Sequence, residues 1–191
     1  MNASCEARLQ RYADLLTRWN PTINLVSPAT LPDLWQRHIA DSIQLAELAP
    51  LEGRWVDLGS GGGLPGLVVA ICRPQLSVTL LDSDARKATF LRTCVRELSL
   101  TNCSVVTTRI EQQSPAAADH VSARALAPLP KLMAYVVQHL SPGGTAWLMK
   151  GETWQEEVDL VKASWQFDLT VHPSRTHDGA AILQMTNIHH G

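Results

Sequence analysis

The sequence predicts an α/β protein with a doubly wound, mostly parallel seven-stranded sheet, a C-terminal antiparallel hairpin and preceding N-terminal helices. Two observations carry this prediction. After Gly53, short β-rich runs alternate with helical stretches, which is typical of a parallel sheet covered on both faces. The last two runs are joined by the turn-rich loop HPSRTHDG (172–179), which is too short for a crossover helix, so these two strands are expected to pair antiparallel.

The N-terminal helices are predicted from a different periodicity. Apolar residues recur at helical spacing over residues 9–19, which predicts an amphipathic helix that ends before Pro21. A second helix is predicted over residues 31–48. We therefore expect a helical extension over residues 1–52 and a sheet domain over residues 53–191.

The other elements follow from the same two periodicities. The parallel strands are predicted at residues 55–58, 78–82, 104–107, 120–124 and 145–149, and the hairpin strands at 165–171 and 180–186. The helices between them are predicted at residues 65–72, 85–98, 128–140 and 152–163. The segment between Thr107 and Asp119 predicts only a weak helix.

Composition and charge describe an ordinary globular chain. Its 191 residues carry 16 Lys and Arg against 18 Asp and Glu, and its mean hydropathy is −0.04, which excludes a disordered tail and a strongly basic nucleic-acid binder. The charge is uneven, because residues 86–131 carry seven basic and three acidic side chains, whereas residues 150–168 carry two basic and five acidic ones. The overall charge therefore does not exclude a local basic surface within residues 86–131.

Cysteine usage and hydropathy point to the cytoplasm. The four cysteines lack C-x-x-C spacing, which argues against a zinc site or a disulfide framework. The longest apolar run, residues 63–72, is too short to cross a bilayer. We expect a cytoplasmic protein with reduced thiols and no bound metal.

The sharpest motif is WVDLGSGGGLPG at residues 55–66, a buried strand that enters a glycine-rich turn and then a helix. Gly59, Gly61 and Gly63 allow positive φ and leave the backbone open to a ligand. A cofactor is therefore expected here. Residues 61–66 also satisfy G-x-G-x-x-G, so a dinucleotide stays an alternative to S-adenosylmethionine.

Charged residues at the ends of successive strands favour the methyl donor. Asp57 precedes the first glycine, where its charge would repel a pyrophosphate but suits a ligand with an ammonium and a sulfonium. Asp82 closes the second strand and can accept both ribose hydroxyls, although NAD enzymes place an acid similarly. Ile110 and Glu111, after the third strand, offer a backbone amide and a carboxylate to an adenine edge. Arg124 ends the fourth strand in the expected ligand crevice.

A basic surface is predicted on the helix after the second strand. Arg86 and Lys87 open that helix, and Arg92 and Arg96 lie one turn apart on its outer face. Each residue alone is compatible with a solvated charge, but together they favour contact with RNA phosphates.

The fourth strand also narrows the acceptor. It is followed neither by an Asn-Pro-Pro-aromatic motif, which orients an exocyclic amine, nor by a Pro-Cys nucleophile, which attacks cytosine C6. Guanine N7 needs neither device, because its lone pair is free at neutral pH and the enzyme has mainly to align donor and acceptor.

The chain resembles the bacterial 16S ribosomal RNA guanine-N7 methyltransferases, also called glucose-inhibited division protein B. The strings that carry the resemblance are RWNPTINLVS (18–27), RHIADS (37–42), VDLGSGGGLPG (56–66), LLDSDARKATFLR (80–92), TRIEQ (108–112), SARALAPL (122–129) and MKG (149–151). The resemblance implies the class I S-adenosylmethionine-dependent methyltransferase fold. It also implies N7-methylation of one guanosine in the decoding-region stem-loop of 16S ribosomal RNA.

The resemblance also implies site residues. Matched position by position, the family's donor site falls on Gly59, Leu64, Ile110, Glu111 and Arg124, with Asp57 and Asp82 as motif acids. Arg124 is the candidate catalytic residue. The partner implied is 16S ribosomal RNA or the small ribosomal subunit, and we expect a monomer that binds neither DNA nor a membrane.

Three residues have roles that the sequence leaves open. His38 and Asp41 share one helix face, which the family presents toward the pocket, although both can equally dock the extension by hydrogen bonds. Lys150 either contacts RNA or only ends its strand. Two other functions also stay open, namely an NAD-dependent oxidoreductase and a ribosome-associated protein that binds the donor without turnover.

Overall fold

A computed structural model describes residues 3–191. They contain one seven-stranded sheet with the strand order β3-β2-β1-β4-β5-β7-β6. The strands are β1 (Gly53–Leu58), β2 (Leu76–Asp82), β3 (Cys103–Thr107), β4 (Ala118–Arg124), β5 (Leu140–Lys150), β6 (Trp165–Pro173) and β7 (Ala181–His190). The first five are parallel, and β7 is antiparallel to both β5 and β6. The predicted fold class and the antiparallel hairpin are confirmed.

Helices cover both faces of the sheet. They are α1 (Ala3–Ile23), α2 (Asp41–Leu48), α3 (Gly66–Cys72), α4 (Ala85–Glu97), α5 (Leu129–His139) and α6 (Trp154–Lys162). Neighbouring residues of β1 point to opposite faces, so Trp55 packs in a core under α1 to α4, and Val56 packs in a second core under α5 and α6. No helix within residues 3–191 is long and apolar enough to cross a membrane.

The predicted end of the first helix is wrong, because α1 continues past Pro21 to Ile23. A proline in the last turn removes only one backbone hydrogen bond of the helix. The end is instead set by Asn20, whose buried side-chain oxygen accepts hydrogen bonds from the amides of Leu25 and Val26 at 2.7 and 2.8 Å.

The second helix begins later than predicted and has an unusual first part. A short 3₁₀ turn at Pro28–Thr30 comes first, and a π-helical turn at Trp35–Ala40 then runs directly into α2. Between β3 and β4 the weak helix reduces to a single 3₁₀ turn, Ile110–Gln112. The π-helical turn carries His38, and such turns are often found at functional sites.

The N-terminal helices share a core with the sheet. Leu9, Tyr12 and Leu16 are fully buried in the same cluster as Leu67 of α3 and Phe90 of α4. Burial of each such side chain contributes roughly 1.5–3 kcal/mol to the free energy of folding. A boundary between residues 52 and 53 stays a prediction, and the extension is packed against the sheet domain rather than tethered to it.

Candidate active site

The glycine-rich turn after β1 is shaped by packing as much as by ligand access. Gly59 and Gly63 have φ of +64° and +92°, and a Cβ atom at either position would lie 2.5 Å from Leu126 or 2.9 Å from Leu67. At Gly61, with φ of +55°, the nearest atom to such a Cβ would be 3.8 Å away. Gly61 therefore faces open space, whereas Gly59 and Gly63 allow close approach of neighbouring side chains.

Asp82 anchors this turn from the neighbouring strand. One carboxylate oxygen accepts the amide of Gly61 at 2.7 Å, and the other accepts the amide of Asp84 at 2.8 Å. A carboxylate oxygen has two lone pairs, so each oxygen keeps one acceptor position for a ligand hydroxyl. Asp82 and Gly61 both line a cavity of about 320 Å³, which we call the first cavity.

The far wall of the first cavity is formed after β3. Glu111 and Tyr135 both line it, and the tyrosine hydroxyl donates to Glu111 Oε1 at 2.9 Å. Glu111's own backbone amide and the Tyr135 hydroxyl stabilise the carboxylate and lower the pKa of Glu111. The carbonyl of Ile110, also on this wall, accepts a hydrogen bond from His139 Nε2 at 3.1 Å. The wall is thus held in place before any ligand binds.

Asp57 lies beneath the glycine turn. It is fully buried, and Ser122 of β4 donates a hydrogen bond to its Oδ1 at 2.6 Å. Burial raises the pKa of Asp57 to about 6, and the Ser122 hydrogen bond opposes this shift. A Cβ at Gly66 would lie 2.5 Å from the Asp57 side chain, so the first turn of α3 covers the carboxylate. Leu64 is also buried under the turn.

Tyr12 supports the same turn from α1. Its hydroxyl donates to the carbonyl of Gly62 in a short buried hydrogen bond, and a Cβ at Gly63 would lie 3.0 Å from that hydroxyl. In the sequence, Tyr12 is one of the apolar-face residues of the helix predicted over residues 9–19. Its partner is 50 residues away, and no local pattern indicates that contact.

Arg124 forms an ion pair with Asp41 at 3.0 Å, and its second terminal nitrogen bonds to His38 Nδ1. Both charged side chains are less than a fifth exposed. Asp41 also accepts hydrogen bonds from Gln44 and from Thr176 in the loop before β7, at 2.8 and 2.7 Å. The sequence-predicted residues His38, Asp41 and Arg124 therefore form one cluster, which joins α2, β4 and the hairpin loop.

His38 is neutral in this cluster. Burial and then the adjacent Arg124 guanidinium lower the pKa of His38 to about 4. Because Arg124 donates to Nδ1, the imidazole proton lies on Nε2, which is 2.7 Å from the Thr30 hydroxyl. That hydroxyl donates in turn to the carbonyl of Ser27.

A second cavity of about 280 Å³ lies beside the first, between Arg124 and the hairpin loop. Lys150 and Glu157 form a 2.7 Å ion pair in its wall, and Lys150 also donates to the carbonyl of Ala127 at 3.2 Å. Ala125, with φ of +50°, borders both cavities. The two cavities thus meet at the carboxyl end of β4.

Three of the four predicted basic side chains on α4 already have a polar or acidic partner within the protein. Arg86 pairs with Asp84 at 3.2 Å, and Lys87 lines the first cavity. Arg92 donates to the Thr107 hydroxyl at 2.6 Å, and Arg96 lies 3.7 Å from Glu97.

All four of these basic side chains lie on the helix that follows Asp82. Within residues 3–191, no three His, Cys, Asp or Glu side chains come together as a metal site.

Structural comparison agrees with the fold. A methyltransferase from Aquifex aeolicus, described as dependent on S-adenosylmethionine, superposes with a TM-score of 0.62 at 14% identity, over 81% of this chain and 93% of that one. TYW2 from M. jannaschii, solved with AdoMet, gives a TM-score of 0.61 at 14% identity, over 81% of this chain and 76% of the other. The fold is that of the class I S-adenosylmethionine-dependent methyltransferases.

Sequence comparison gives the family. The family model described as rRNA small subunit methyltransferase G (GidB) matches residues 5–184, and the chain belongs to this family. A protein named ribosomal RNA small subunit methyltransferase G from Paracoccus denitrificans is 55% identical over 96% of this chain and 95% of its own length. The protein of the same name from Gluconobacter oxydans is 46% identical over 94% of this chain and 92% of its length. The resemblance found in the sequence is confirmed.

Proposed function

We propose that the protein transfers the methyl group of S-adenosylmethionine to N7 of one guanosine in the decoding-region stem-loop of 16S ribosomal RNA. The observation that carries this proposal is the junction of the two cavities at Ala125. A donor in one cavity and a base in the other would meet there. In open α/β sheets ligands bind at the carboxyl ends of the strands, which is where both cavities lie.

The residues of the first cavity fit the donor. Asp82 keeps acceptor positions for the two ribose hydroxyls while it holds the amide of Gly61. Ile110 and Glu111 lie where an adenine edge would bind, and the open space at Gly61 admits the rest of the molecule. Asp57 adds negative charge beneath the turn, which favours a cationic ligand over a pyrophosphate.

The chain's own residues have a positioning role in the reaction. When bound, S-adenosylmethionine supplies an electrophilic methyl group on a sulfonium. Transfer of that methyl group to guanine N7 would break the sulfur–carbon bond and release no proton from N7, so no side chain is needed as a general base. Arg124, held by Asp41 and neutral His38, forms part of the wall of the second cavity, next to Ala125, which borders both cavities. Alignment of the two reactants is then the main source of rate enhancement.

The partner we propose is 16S ribosomal RNA, free or within the small ribosomal subunit. The basic side chains of α4 would contact RNA phosphates, and Lys87 among them lines the first cavity. The others are Arg86, Arg92 and Arg96. We further propose that the protein acts as a monomer in the cytoplasm.

Deletion of the gene tests this proposal. Ribosomal RNA from the deletion strain should lose one borohydride- and aniline-sensitive site, which marks N7-methylguanosine, in the decoding-region stem-loop. A plasmid copy of the gene should restore the site fully, and a plasmid carrying the Asp82→Asn variant should restore less of it. Retention of every such site in the deletion strain would overturn the proposal.

A further inference from the structure

The ion pair between Lys150 and Glu157 is largely buried, and buried ion pairs add little to the free energy of folding. The two side chains are 11% and 18% exposed, and both line the second cavity. Removing two charges from water costs about as much free energy as their attraction returns. The neighbouring acid of α6, Glu156, is exposed to solvent. The buried pair therefore calls for a role other than stabilisation of the fold.

The hydrogen-bonding capacity of this pair is only partly used. Of the three N–H groups of Lys150, one is directed to Glu157 Oε2 and one to the carbonyl of Ala127. Glu157 Oε2 also accepts the amide of Leu129. The other carboxylate oxygen, Glu157 Oε1, accepts only a long hydrogen bond of 3.5 Å from the Thr153 hydroxyl among residues 3–191. One ammonium N–H and one carboxylate oxygen thus stay available side by side.

Such a pair matches one base. The Watson–Crick edge of guanine presents O6 as an acceptor next to N1–H and N2–H as donors, so an ammonium can bind O6 while the one remaining carboxylate oxygen, Glu157 Oε1, accepts from both N1–H and N2–H. Adenine presents the reverse order, which would place an amine against the ammonium and a lone pair against the carboxylate. Unpaired bases are commonly read on this edge by proteins that recognise single-stranded RNA.

Arg124 is not free to read the base in the same way. Its guanidinium lines the same cavity but is already bound to Asp41 and His38. N7 lies on the imidazole ring of guanine, away from N1 and N2. A guanine whose N1 and N2 face Glu157 therefore keeps N7 free of that contact.

From this geometry we infer that Lys150 and Glu157 recognise the Watson–Crick edge of the target guanine, and so determine the base specificity of the second cavity. The inference rests on the proposed function, because it names the residues that select the acceptor of that same reaction. Their role is to select and position the base.

The test compares guanosine with inosine, which lacks the N2 amine but keeps N7, O6 and N1–H. Small subunits are assembled with 16S ribosomal RNA ligated from two fragments, so that the methylated position carries either nucleoside. The wild-type protein should show at least about a 10-fold lower kcat/KM on the inosine subunit, as expected for loss of one hydrogen bond to a charged group. Glu157→Gln keeps the shape of the side chain, and it should lower transfer to guanosine and reduce that ratio to about 3 or less.

Two further variants separate recognition from folding. The double variant Lys150→Met with Glu157→Met removes both charges together and strands neither. It should bind S-adenosylhomocysteine within about threefold of the wild-type Kd. Its transfer to guanosine should fall by roughly 100-fold or more, as expected for the loss of two hydrogen bonds to charged groups. Glu156→Gln, on the exposed side of the same helix, should leave both the transfer rate and the ratio unchanged.

The outcomes are distinct. A guanosine-to-inosine ratio that stays at the wild-type value in Glu157→Gln would overturn the inference, even if both rates fall, because a structural role lowers both rates equally. A double variant with wild-type transfer would also overturn it. Failure of the wild-type protein to methylate either subunit would instead overturn the proposed function itself.

Discussion

The two cavities at the carboxyl edge of the sheet are built in different ways. The first is formed by Gly61, Asp82 and Glu111, each of which follows or ends one of the first three strands. The second draws on Asp41 before the sheet, Lys150 at the end of β5, and a hairpin loop more than 130 residues from Asp41. Adjacent parallel strands bring the first set together, whereas only the complete fold brings the second set together.

This difference explains why the two cavities are stabilised by different interactions. Hydrogen bonds to the backbone hold the first cavity, and ion pairs hold the second. The first rests on backbone amides and on α1, through the hydrogen bond from Tyr12 to Gly62. In the second, Arg124 is paired with Asp41, and Lys150 with Glu157. Loss of one charge in the second cavity strands another, so substitutions there should cost more stability than those in the first.

The largest effect is expected for Arg124→Met. It leaves Asp41 without its cation in a site less than a fifth exposed, which should lower the free energy of unfolding by about 2–3 kcal/mol and abolish methyl transfer. Urea unfolding and a filter-based transfer assay measure both. Arg175→Met, which removes an exposed pair with Glu47, is the control and should change stability by less than about 0.5 kcal/mol. Equal stability of the two variants would contradict the contrast between paired and exposed charges.

Asp82→Asn should act on donor binding rather than on stability. The amide group cannot accept from both Gly61 and Asp84, so we expect the Kd for S-adenosylhomocysteine to rise about 30-fold, equivalent to roughly 2 kcal/mol. Isothermal titration calorimetry measures this. Glu152→Gln, an exposed change outside both cavities, should leave the Kd unchanged. An unaltered Kd in the Asp82→Asn variant would contradict the assignment of Asp82 to the donor site.

Tyr12→Phe tests whether the N-terminal extension positions the glycine turn. Loss of the buried hydroxyl should cost about 1 kcal/mol of stability, because the carbonyl of Gly62 loses its donor. The Kd for the donor should rise about three- to fivefold, and kcat should change little. A variant that is less stable but binds the donor normally would show that Tyr12 supports only the core.

The pKa of His38, lowered to about 4 by burial and by Arg124, predicts a pH-dependent stability. Between pH 6.5 and 4 the unfolded chain binds a proton at His38 that the folded chain does not, so this contribution to stability is lost as the pH falls through that window. After discounting for solvent screening, we expect this loss in the free energy of unfolding to be about 1 kcal/mol. Arg37 and Asp41 also act on the charge of the ring. Urea unfolding of wild type and His38→Gln at pH 7.5 and 5.0 measures it, and parallel losses in both proteins would contradict the assignment.

The smallest effect is expected on the outer face of α4. Replacement of both Arg92 and Arg96 by Ala should weaken RNA binding and reduce the slope of log affinity against log salt by roughly 1–2, because each side chain already has a protein partner. Donor affinity should not change. An unaltered slope would place the RNA-binding surface elsewhere.

The sequence predicted the fold class, the antiparallel pairing of the C-terminal hairpin and the family, because alternating periodicities and the motif strings are local signals. Glycine-rich turns and strand-end carboxylates made Gly61 and Asp82 predictable for the same reason. The end of α1 at Ile23 was not predicted, since it depends on the side chain of Asn20. Glu157 and Thr176 were missed because their partners are distant in the chain, and only packing reveals them.

The central claim is that the two cavities join a methyl donor to a guanine N7. It is tested most directly with purified protein, methyl-labelled S-adenosylmethionine and small ribosomal subunits from the deletion strain, followed by nucleoside analysis of the digested RNA. We predict one labelled methyl group per subunit, recovered as N7-methylguanosine from 16S ribosomal RNA. No incorporation, or label in any other nucleoside, would contradict the account.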